Sequence, residues 1–132
     1  MDRKLDVRFE INNPVSAKEL IEVFESVEWR KSEKNIVQAF QNSYYITAYD
    51  ADKLVGFARA ISDNCYYTNI FDVIVRPEYQ GRGIGKNMMH MLKEKFSGTY
   101  FFLTYTEGRE KFYEKCGFEP NERAMWIHIY KS

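Results

Sequence analysis

The chain has 132 residues, of which 45% are hydrophobic and 29% charged, and its 19 basic and 19 acidic side chains cancel to a formal net charge of zero. This length suits one domain over residues 1–132 with one hydrophobic core rather than two. A balanced charge without a long basic tract lacks the electrostatic footprint of a nucleic-acid-binding protein, so no nucleic-acid partner is expected.

The first residues, Met1–Asp6, lack the apolar core of a signal peptide, and no apolar run approaches the length of a membrane span. We therefore expect a soluble, cytoplasmic protein with no membrane partner. Cys65 and Cys116 are the only cysteines, and a disulfide is not expected in that compartment. Together with the two histidines they do not assemble into a metal-ligand pattern, so no metal is expected.

The first part of the chain predicts one strand followed by two helices. Apolar and charged residues alternate over Leu5–Ile11, which is typical of a strand. Ser16 and Glu19 match a capping box, and a helical apolar face follows at Leu20, Ile21, Val23, Phe24 and Val27. Ser32 is predicted to cap a second, shorter helix.

The rest of the chain predicts a hairpin and then alternating strands and helices. The expected elements are strands over Ser43–Tyr49, Leu54–Ile61 and a run that ends at Val75, a helix from Ile84 to near Gly98, a strand over Thr99–Tyr105, a helix over Gly108–Lys115 and a final strand over Ala124–Tyr130. The predicted order is therefore β-α-α-β-β-β-α-β-α-β.

Glycines at alternate positions, Gly81, Gly83 and Gly85, separate the β-branched run Ile70–Val75 from the amphipathic helix. At the start of a helix the backbone N–H groups are free, and the helix dipole favours an anion. Glycine also tolerates positive φ and lets a bulky phosphate approach the backbone. The pattern therefore predicts a loop that binds a pyrophosphate.

The spacing of these glycines fits neither common nucleotide loop, because it lacks the G-x-G-x-x-G fingerprint and because Asn87, not Ser or Thr, follows Gly85-Lys86. The run from Gln80 to Gly85 instead resembles the acetyl-coenzyme A loop of the GNAT superfamily of N-acetyltransferases, Q/R-x-x-G-x-G/A, and Val75-x-Pro77-x-Tyr79 resembles its usual lead-in. A second stretch, Phe112–Glu119, is similar to the F-Y-x-x-x-G-F motif of that family.

The resemblance covers nearly the whole chain and implies the GNAT fold, an α/β (α+β) arrangement with a mixed central sheet and helices on both faces. It implies acetyl-coenzyme A as the donor, with backbone groups of Val73 and Val75 on its pantetheine arm and an N–H of Val73 or Ile74 on the developing oxyanion. Arg82, Lys86 and Arg76 could add charge near the phosphates. The full set of expected coenzyme-binding residues is Val73, Ile74, Val75, Gln80, Gly81, Arg82, Gly83, Ile84, Gly85, Lys86 and Phe112.

The resemblance also implies Tyr113 as the general acid that protonates the leaving thiolate, because several family members use a tyrosine at this place in the motif. A phenol with an ordinary pKa near 10 stays protonated at neutral pH and can donate. The alternative is a tyrosine that only packs, since the chain has ten. Asp72 is the first candidate for the base, or else an ion-pair partner of Arg59 or Arg76, and Glu107 and His128 are lesser candidates. In many family members an asparagine shortly before the tyrosine binds the pantetheine arm. This chain has no asparagine there, and Thr106 or a backbone group could replace that contact.

The expected acceptor is a primary amine on a small molecule, held in a cleft with aromatic walls. Aromatic candidates for the walls are Trp29, Tyr44, Tyr66, Tyr67 and Trp126. Two alternatives stay open: an acceptor that is a protein or peptide, and a coenzyme-binding module without catalysis. Family members are often dimers, so a homodimer is possible.

Overall fold

The structure of the protein is a computed structural model that describes residues 5–129. Its elements are β1 (Val7–Ile11), α1 (Ala17–Ser26), α2 (Glu33–Gln41), β2 (Tyr44–Asp50), β3 (Lys53–Ser62), β4 (Tyr67–Val75), α3 (Ile84–Lys95), β5 (Tyr100–Phe102) and α4 (Glu110–Lys115). The strands form one sheet in the order β1-β2-β3-β4-β5. Neighbouring strands are antiparallel except for β4 and β5, which are parallel.

Serine caps begin the first two helices at the predicted positions. The Ser16 hydroxyl accepts a hydrogen bond from the Glu19 backbone N–H at 3.1 Å, and the Ser32 hydroxyl accepts one from Asn35 at 3.2 Å. Each bond satisfies a backbone donor that the first helical turn leaves without a partner. The sequence signal for both helix starts is therefore confirmed.

Helices cover both faces of the sheet. On one face α1 and α2 pack on the sheet, where the Phe57 ring of β3 lies 5.0 Å from the Phe24 ring and 5.3 Å from the Phe40 ring. On the other face α3 contributes the buried residues Met88, Met89 and Leu92 to a larger core cluster. This two-sided arrangement confirms the predicted fold class.

Strand β4 loses its regular pairing on both sides. Its register with β3 passes from Ile74 opposite Phe57 to Phe71 opposite Arg59, so two residues of β4, Asp72 and Val73, face one residue of β3. This is a β-bulge. On its other side β4 pairs with β5 only through its first three residues, Tyr67–Asn69, and then separates from it.

Two predicted strands differ from the structure. The strand expected over Thr99–Tyr105 is only Tyr100–Phe102 long, because β4 separates from it beyond that point. The final strand predicted over Ala124–Tyr130 is wrong for residues 124–129, which form no strand, and Tyr130 lies outside the described residues. Residues with high strand propensity form a strand where they can pack against a neighbouring strand, and no strand described within residues 5–129 lies beside this segment.

Within residues 5–129, no helix has both the length and the apolar character needed to cross a membrane.

The backbone of β4 lies close to β3 at Gly56. A Cβ atom there would lie 2.8 Å from the backbone oxygen of Ile74 and 3.2 Å from a Val75 methyl carbon. We expect Gly56→Ala to force the two strands apart and to lower the free energy of unfolding by about 1–3 kcal/mol. Urea denaturation measures this effect, with exposed Ser97→Ala as the control, and an unchanged midpoint for Gly56→Ala would contradict the packing described.

Candidate active site

The glycine loop is fixed to the end of β4 by a hydrogen bond and has open space beside its glycines. The Gln80 side-chain amide donates to the Val75 backbone oxygen at 2.9 Å, which fixes the loop to the end of β4. Gly81 and Gly83 adopt positive φ values of 78° and 83°, and Gly83 is the N-cap of α3. A Cβ atom on either glycine would meet nothing within 4 Å. The loop therefore presents a helix N-terminus with open space before it, which suits a large anionic group.

The three candidate cations lie in different surroundings. Arg82 is exposed in the loop, and Lys86 is exposed in the first turn of α3. Arg76 instead donates from Nε to the Leu54 backbone oxygen at 2.7 Å and lies 3.6 Å from the Glu22 carboxylate, so β3 and α1 hold its guanidinium. Two of the three cations are therefore free to face an anion at the loop.

The two sequence motifs meet at one contact. A Cβ atom on Gly85 would lie 3.1 Å from the ring carbon Cζ of Phe112. The Phe112 ring therefore packs directly on the first turn of α3, and the space for it exists because residue 85 has no side chain. This contact places Tyr113, the next residue, on the same side of the sheet as the glycine loop.

A cleft of about 290 Å³ opens where β4 and β5 separate. It brings together three residues that the sequence predicted for the site, Asp72, Val73 and Ile74, with the predicted acid Tyr113. The remaining lining residues are Val27, Trp29, Thr104, Tyr105, Thr106 and Arg109. Of these six, the sequence predicted Trp29 as a wall residue and Thr106 as a replacement for the missing asparagine. The other four were not predicted, because they follow the ends of α1 and β5 and belong to no motif.

The Tyr113 side chain is partly buried. Burial is the main cause that raises the pKa of its phenol, the charge on Arg109 opposes this rise, and the charges on Cys116 and Asp72 add to it. The rings of Phe112 and Tyr105 lie 5.1 and 6.4 Å from the Tyr113 ring. A raised pKa keeps the phenol protonated, so it can donate a proton at neutral pH.

Asp72 occupies the bulge of β4 with a φ of 49°, a conformation that few residues other than glycine adopt. Its carboxylate accepts a hydrogen bond from Arg59 Nε at 2.6 Å, and both side chains are mostly buried, with 13% and 15% of their surface exposed. Arg59 in turn lies over the Phe71 ring at 4.9 Å and donates to the Ser43 hydroxyl at 3.1 Å. Of the two partners considered for Asp72, the structure pairs it with Arg59.

Several other candidates lie outside the cleft. Glu107 and His128 are exposed and do not line it. Of the aromatic wall candidates only Trp29 lines the cleft, since Tyr44 packs on Phe96 at 5.2 Å and Tyr66, Tyr67 and Trp126 are exposed elsewhere. Among the described residues, no group of three or more His, Cys, Asp or Glu side chains is placed to hold a metal ion.

Comparisons with known proteins agree on one family. A family model described as an acetyltransferase (GNAT) domain matches residues 41–120. The chain is 37% identical over 123 residues to the uncharacterized N-acetyltransferase ycf52 of Pyropia yezoensis, which covers 86% of this chain and 70% of the relative. It is also 28% identical to histone acetyltransferase TAP1 of Glycine max and 32% identical to serotonin N-acetyltransferase 2 of rice, covering 58% of each relative.

Solved structures show the same fold. A probable acetyltransferase from Staphylococcus aureus superposes with a TM-score of 0.85 at 22% identity, covering 96% of this chain and 100% of that one. A GNAT family protein from Streptococcus pneumoniae gives a TM-score of 0.80 at 25% identity, covering 93% and 98%. An aminoglycoside N-acetyltransferase in complex with CoA gives 0.74 at 12% identity, covering 98% of each chain.

The Arg59–Asp72 pair is expected to stabilise the bulge. Arg59→Met leaves the Asp72 carboxylate mostly buried without its cation, and we expect the free energy of unfolding to fall by about 3 kcal/mol. Adding Asp72→Asn removes that unpaired charge, so the double variant is expected to lose clearly less than the sum of the two single variants. Denaturant titrations of all four proteins measure this cycle, and strictly additive losses would contradict a direct pair.

Proposed function

Because the chain belongs to the GNAT superfamily of N-acetyltransferases, we propose that it transfers an acetyl group from acetyl-coenzyme A to a primary amine held in the Tyr113 cleft. The observation that carries this proposal is the position of Tyr113: it lies in one cleft with the interrupted part of β4, and its neighbour Phe112 packs on Gly85 at the start of α3. The chain spans 70% of the Pyropia relative and 58% of the soybean and rice relatives. The activity of those complete proteins therefore comes to this chain only as a proposal.

The glycine loop suits the pyrophosphate of the coenzyme. Gly81 and Gly83 leave open space, Gly83 begins α3, and Arg82 and Lys86 are the exposed cations beside it. Backbone N–H groups of Gly81–Lys86 would bind the phosphate oxygens, and the helix dipole would add to that attraction. When bound, the coenzyme supplies an activated acetyl thioester, and the loop orients this thioester along β4.

The bulge of β4 suits the reacting end of the thioester. At the bulge, Asp72 and Val73 face a single residue of β3, which leaves part of the backbone there without regular ladder pairing. We assign the N–H of Val73 or Ile74 to the oxyanion that develops on the acetyl oxygen. One such donor is typically worth about 2.7–4 kcal/mol in the transition state.

Tyr113 is assigned the general acid. Its raised pKa keeps the proton on the phenol until the thiolate leaves, and the cleft excludes part of the solvent that would otherwise supply one. The base is a separate question. Asp72 lines the cleft but is already paired with Arg59, so its role as base stays a prediction.

The cleft favours a compact amine with an apolar or aromatic body. Trp29, Tyr105 and Val27 form apolar walls in a space of about 290 Å³. Its two charged lining residues are Asp72 and Arg109, and Arg59 neutralises the first of them. The remaining positive charge on Arg109 opposes a polycation, so this electrostatic balance favours a monoamine over a polyamine or a basic peptide.

The alternative acceptor is a protein, and its support is the soybean relative that is named a histone acetyltransferase. The rice relative is named a serotonin N-acetyltransferase, which agrees with an aromatic monoamine. That name also carries the word chloroplastic, and the cytoplasmic location of this chain stays a prediction.

Tyr113→Phe is expected to lower kcat by about 10²–10⁴-fold, because it removes the acidic proton and retains the ring. Tyr105→Phe is the matched control, since it removes the same group from a neighbouring ring in the same cleft. Thiol release from acetyl-coenzyme A measures both rates. Equal turnover in Tyr113→Phe and the wild type would contradict the assigned role.

The pH dependence of kcat is expected to report the protonation state of the Tyr113 phenol. The acid is active only while protonated, and burial raises its pKa above the ordinary 10.0, so any fall caused by Tyr113 lies above pH 10. The same pH series on Tyr113→Phe removes that fall. A fall centred below pH 10 that disappears in Tyr113→Phe would contradict the burial described.

A panel of acceptors separates the proposed substrate class from its alternatives. We expect an arylalkyl monoamine to give a higher kcat/KM than a polyamine or a lysine-rich peptide of matched concentration. Arg109→Gln is expected to reduce that preference, because it removes the positive charge from the cleft. A peptide acceptor that outperforms every small amine would favour the protein alternative, and coenzyme binding without transfer to any acceptor would favour a non-catalytic module.

A further inference from the structure

Tyr79 belongs to the lead-in of the glycine loop, and the proposed reaction gives it no role. A single helical turn, Pro77–Tyr79, follows the end of β4 and precedes the loop. Between the buried residues Val75 and Ile84, the chain is exposed except at Arg76, Tyr79 and part of its backbone. Tyr79 is therefore one of two side chains that this stretch partly buries.

The Tyr79 hydroxyl donates a hydrogen bond to the Asp50 carboxylate at 2.7 Å. Asp50 is only 6% exposed, so water competes little for this acceptor. A hydroxyl that donates to a carboxylate makes a short, charge-assisted bond, which is stronger than a bond between neutral groups. The bond therefore ties the lead-in to the end of β2.

Asp50 is a firm point of attachment. It is the last residue of β2, and it pairs with Val7 of β1 on one side and with Lys53 of β3 on the other. The backbone position of Asp50 is therefore set by three strands of the sheet.

The Tyr79 ring and the residue before the helical turn are held as well. The ring packs against the larger core cluster, and the Lys53 ammonium lies 5.5 Å from the ring centroid. The backbone N–H of Arg76 donates to the Val55 oxygen at 2.8 Å, and its Nε donates to the Leu54 oxygen at 2.7 Å. The lead-in is thus attached to β2 and β3 before the loop begins.

The loop after Tyr79 has few contacts of its own. Residues 80–83 are exposed, and within the described part of the chain their one side-chain hydrogen bond runs from Gln80 to the Val75 oxygen. Glycine has more backbone freedom than any other residue, and two of these four residues are glycines. A ligand that needs one loop conformation binds more weakly in proportion to the time the loop spends in others. Fixing the residue before the loop raises the fraction of molecules that can bind.

We propose that Tyr79 is a positioning residue for the coenzyme: its hydrogen bond to Asp50 fixes the start of the glycine loop in the conformation that receives the pyrophosphate. This inference rests on the proposed function, since it takes acetyl-coenzyme A as the ligand of the loop. Tyr79 acts through the loop backbone and not on the reacting atoms. The end of the β2–β3 hairpin then supports the coenzyme site, although Asp50 belongs to neither sequence motif.

Calorimetric titration with coenzyme A tests this role. Tyr79→Phe retains the ring and removes only the hydroxyl, and we expect it to raise Kd about tenfold, which corresponds to a binding-competent fraction of about one tenth. Tyr45→Phe is the matched control, because the Tyr45 hydroxyl donates to the Asn13 oxygen at 2.6 Å beside the other end of β2. We expect the control to lose a similar hydrogen bond and to keep the Kd of the wild type.

Two substitutions of Asp50 identify the partner of the hydroxyl. Asp50→Asn keeps an oxygen that can accept the hydrogen bond, and we expect it to retain most of the affinity. Asp50→Ala is expected to raise Kd as much as Tyr79→Phe does. Adding Tyr79→Phe to Asp50→Ala is expected to change Kd no further, because the bond is already absent. A tyrosine that only packs would not give this coupling in ligand binding.

The outcomes of the titrations separate this inference from the proposed function. A wild type that binds no coenzyme A overturns both. A wild type that binds coenzyme A, with equal affinity in Tyr79→Phe, overturns the positioning role alone. An equal loss of affinity in Tyr45→Phe, or losses from Asp50→Ala and Tyr79→Phe that multiply in the double variant, also overturns the positioning role alone.

Discussion

The site depends on the interruption of strand β4. On one side a bulge at Asp72 and Val73 breaks its pairing with β3, and on the other side β5 follows it for only three residues. A strand that lost its partners in a regular sheet would leave backbone groups unsatisfied, which is costly unless a ligand or solvent satisfies them. Here the loss is confined to the place where the two parallel strands separate and a cleft forms.

Side-chain contacts hold the strained backbone at Asp72 in place. Asp72 holds a positive φ, and its carboxylate is fixed by Arg59, which itself lies over the Phe71 ring. Residues in sparsely populated backbone conformations persist only where surrounding contacts determine them, and they concentrate at functional sites. The pair therefore links the packing of β3 to the shape of the cleft.

Most of the fold could be predicted from the sequence because its signals are local. The serine caps, the apolar face of α1 and the alternate glycines each act within a few residues, and all three are present as predicted. The two strand predictions that failed depend on contacts between residues that are distant in the sequence. The length of β5 depends on where β4 leaves it, and Ala124–Ile129 has the composition of a strand without a described neighbour.

The candidate site was predictable mainly where a motif carried it. Gly81–Lys86 and Tyr113 lie in two recognisable runs, and the Gly85–Phe112 contact brings those runs together. Arg59 was predicted as one of two possible partners of Asp72. The choice between them and the role of Arg109, which belongs to no motif, depend on which strands and loops become neighbours. Arg76 shows the converse, since its position beside the loop motif suggested a phosphate contact and its guanidinium is held by Leu54 and Glu22 instead.

The proposed function requires that the glycine loop bind acetyl-coenzyme A, and thermal unfolding with the coenzyme tests this binding. Ligand at a hundred times its dissociation constant adds about 2.7 kcal/mol to the free energy of unfolding. For a domain of this size we expect Tm to rise by several degrees, and we expect Gly83→Glu, which places a negative side chain in the loop, to reduce that rise. An unchanged Tm at millimolar acetyl-coenzyme A would contradict the account.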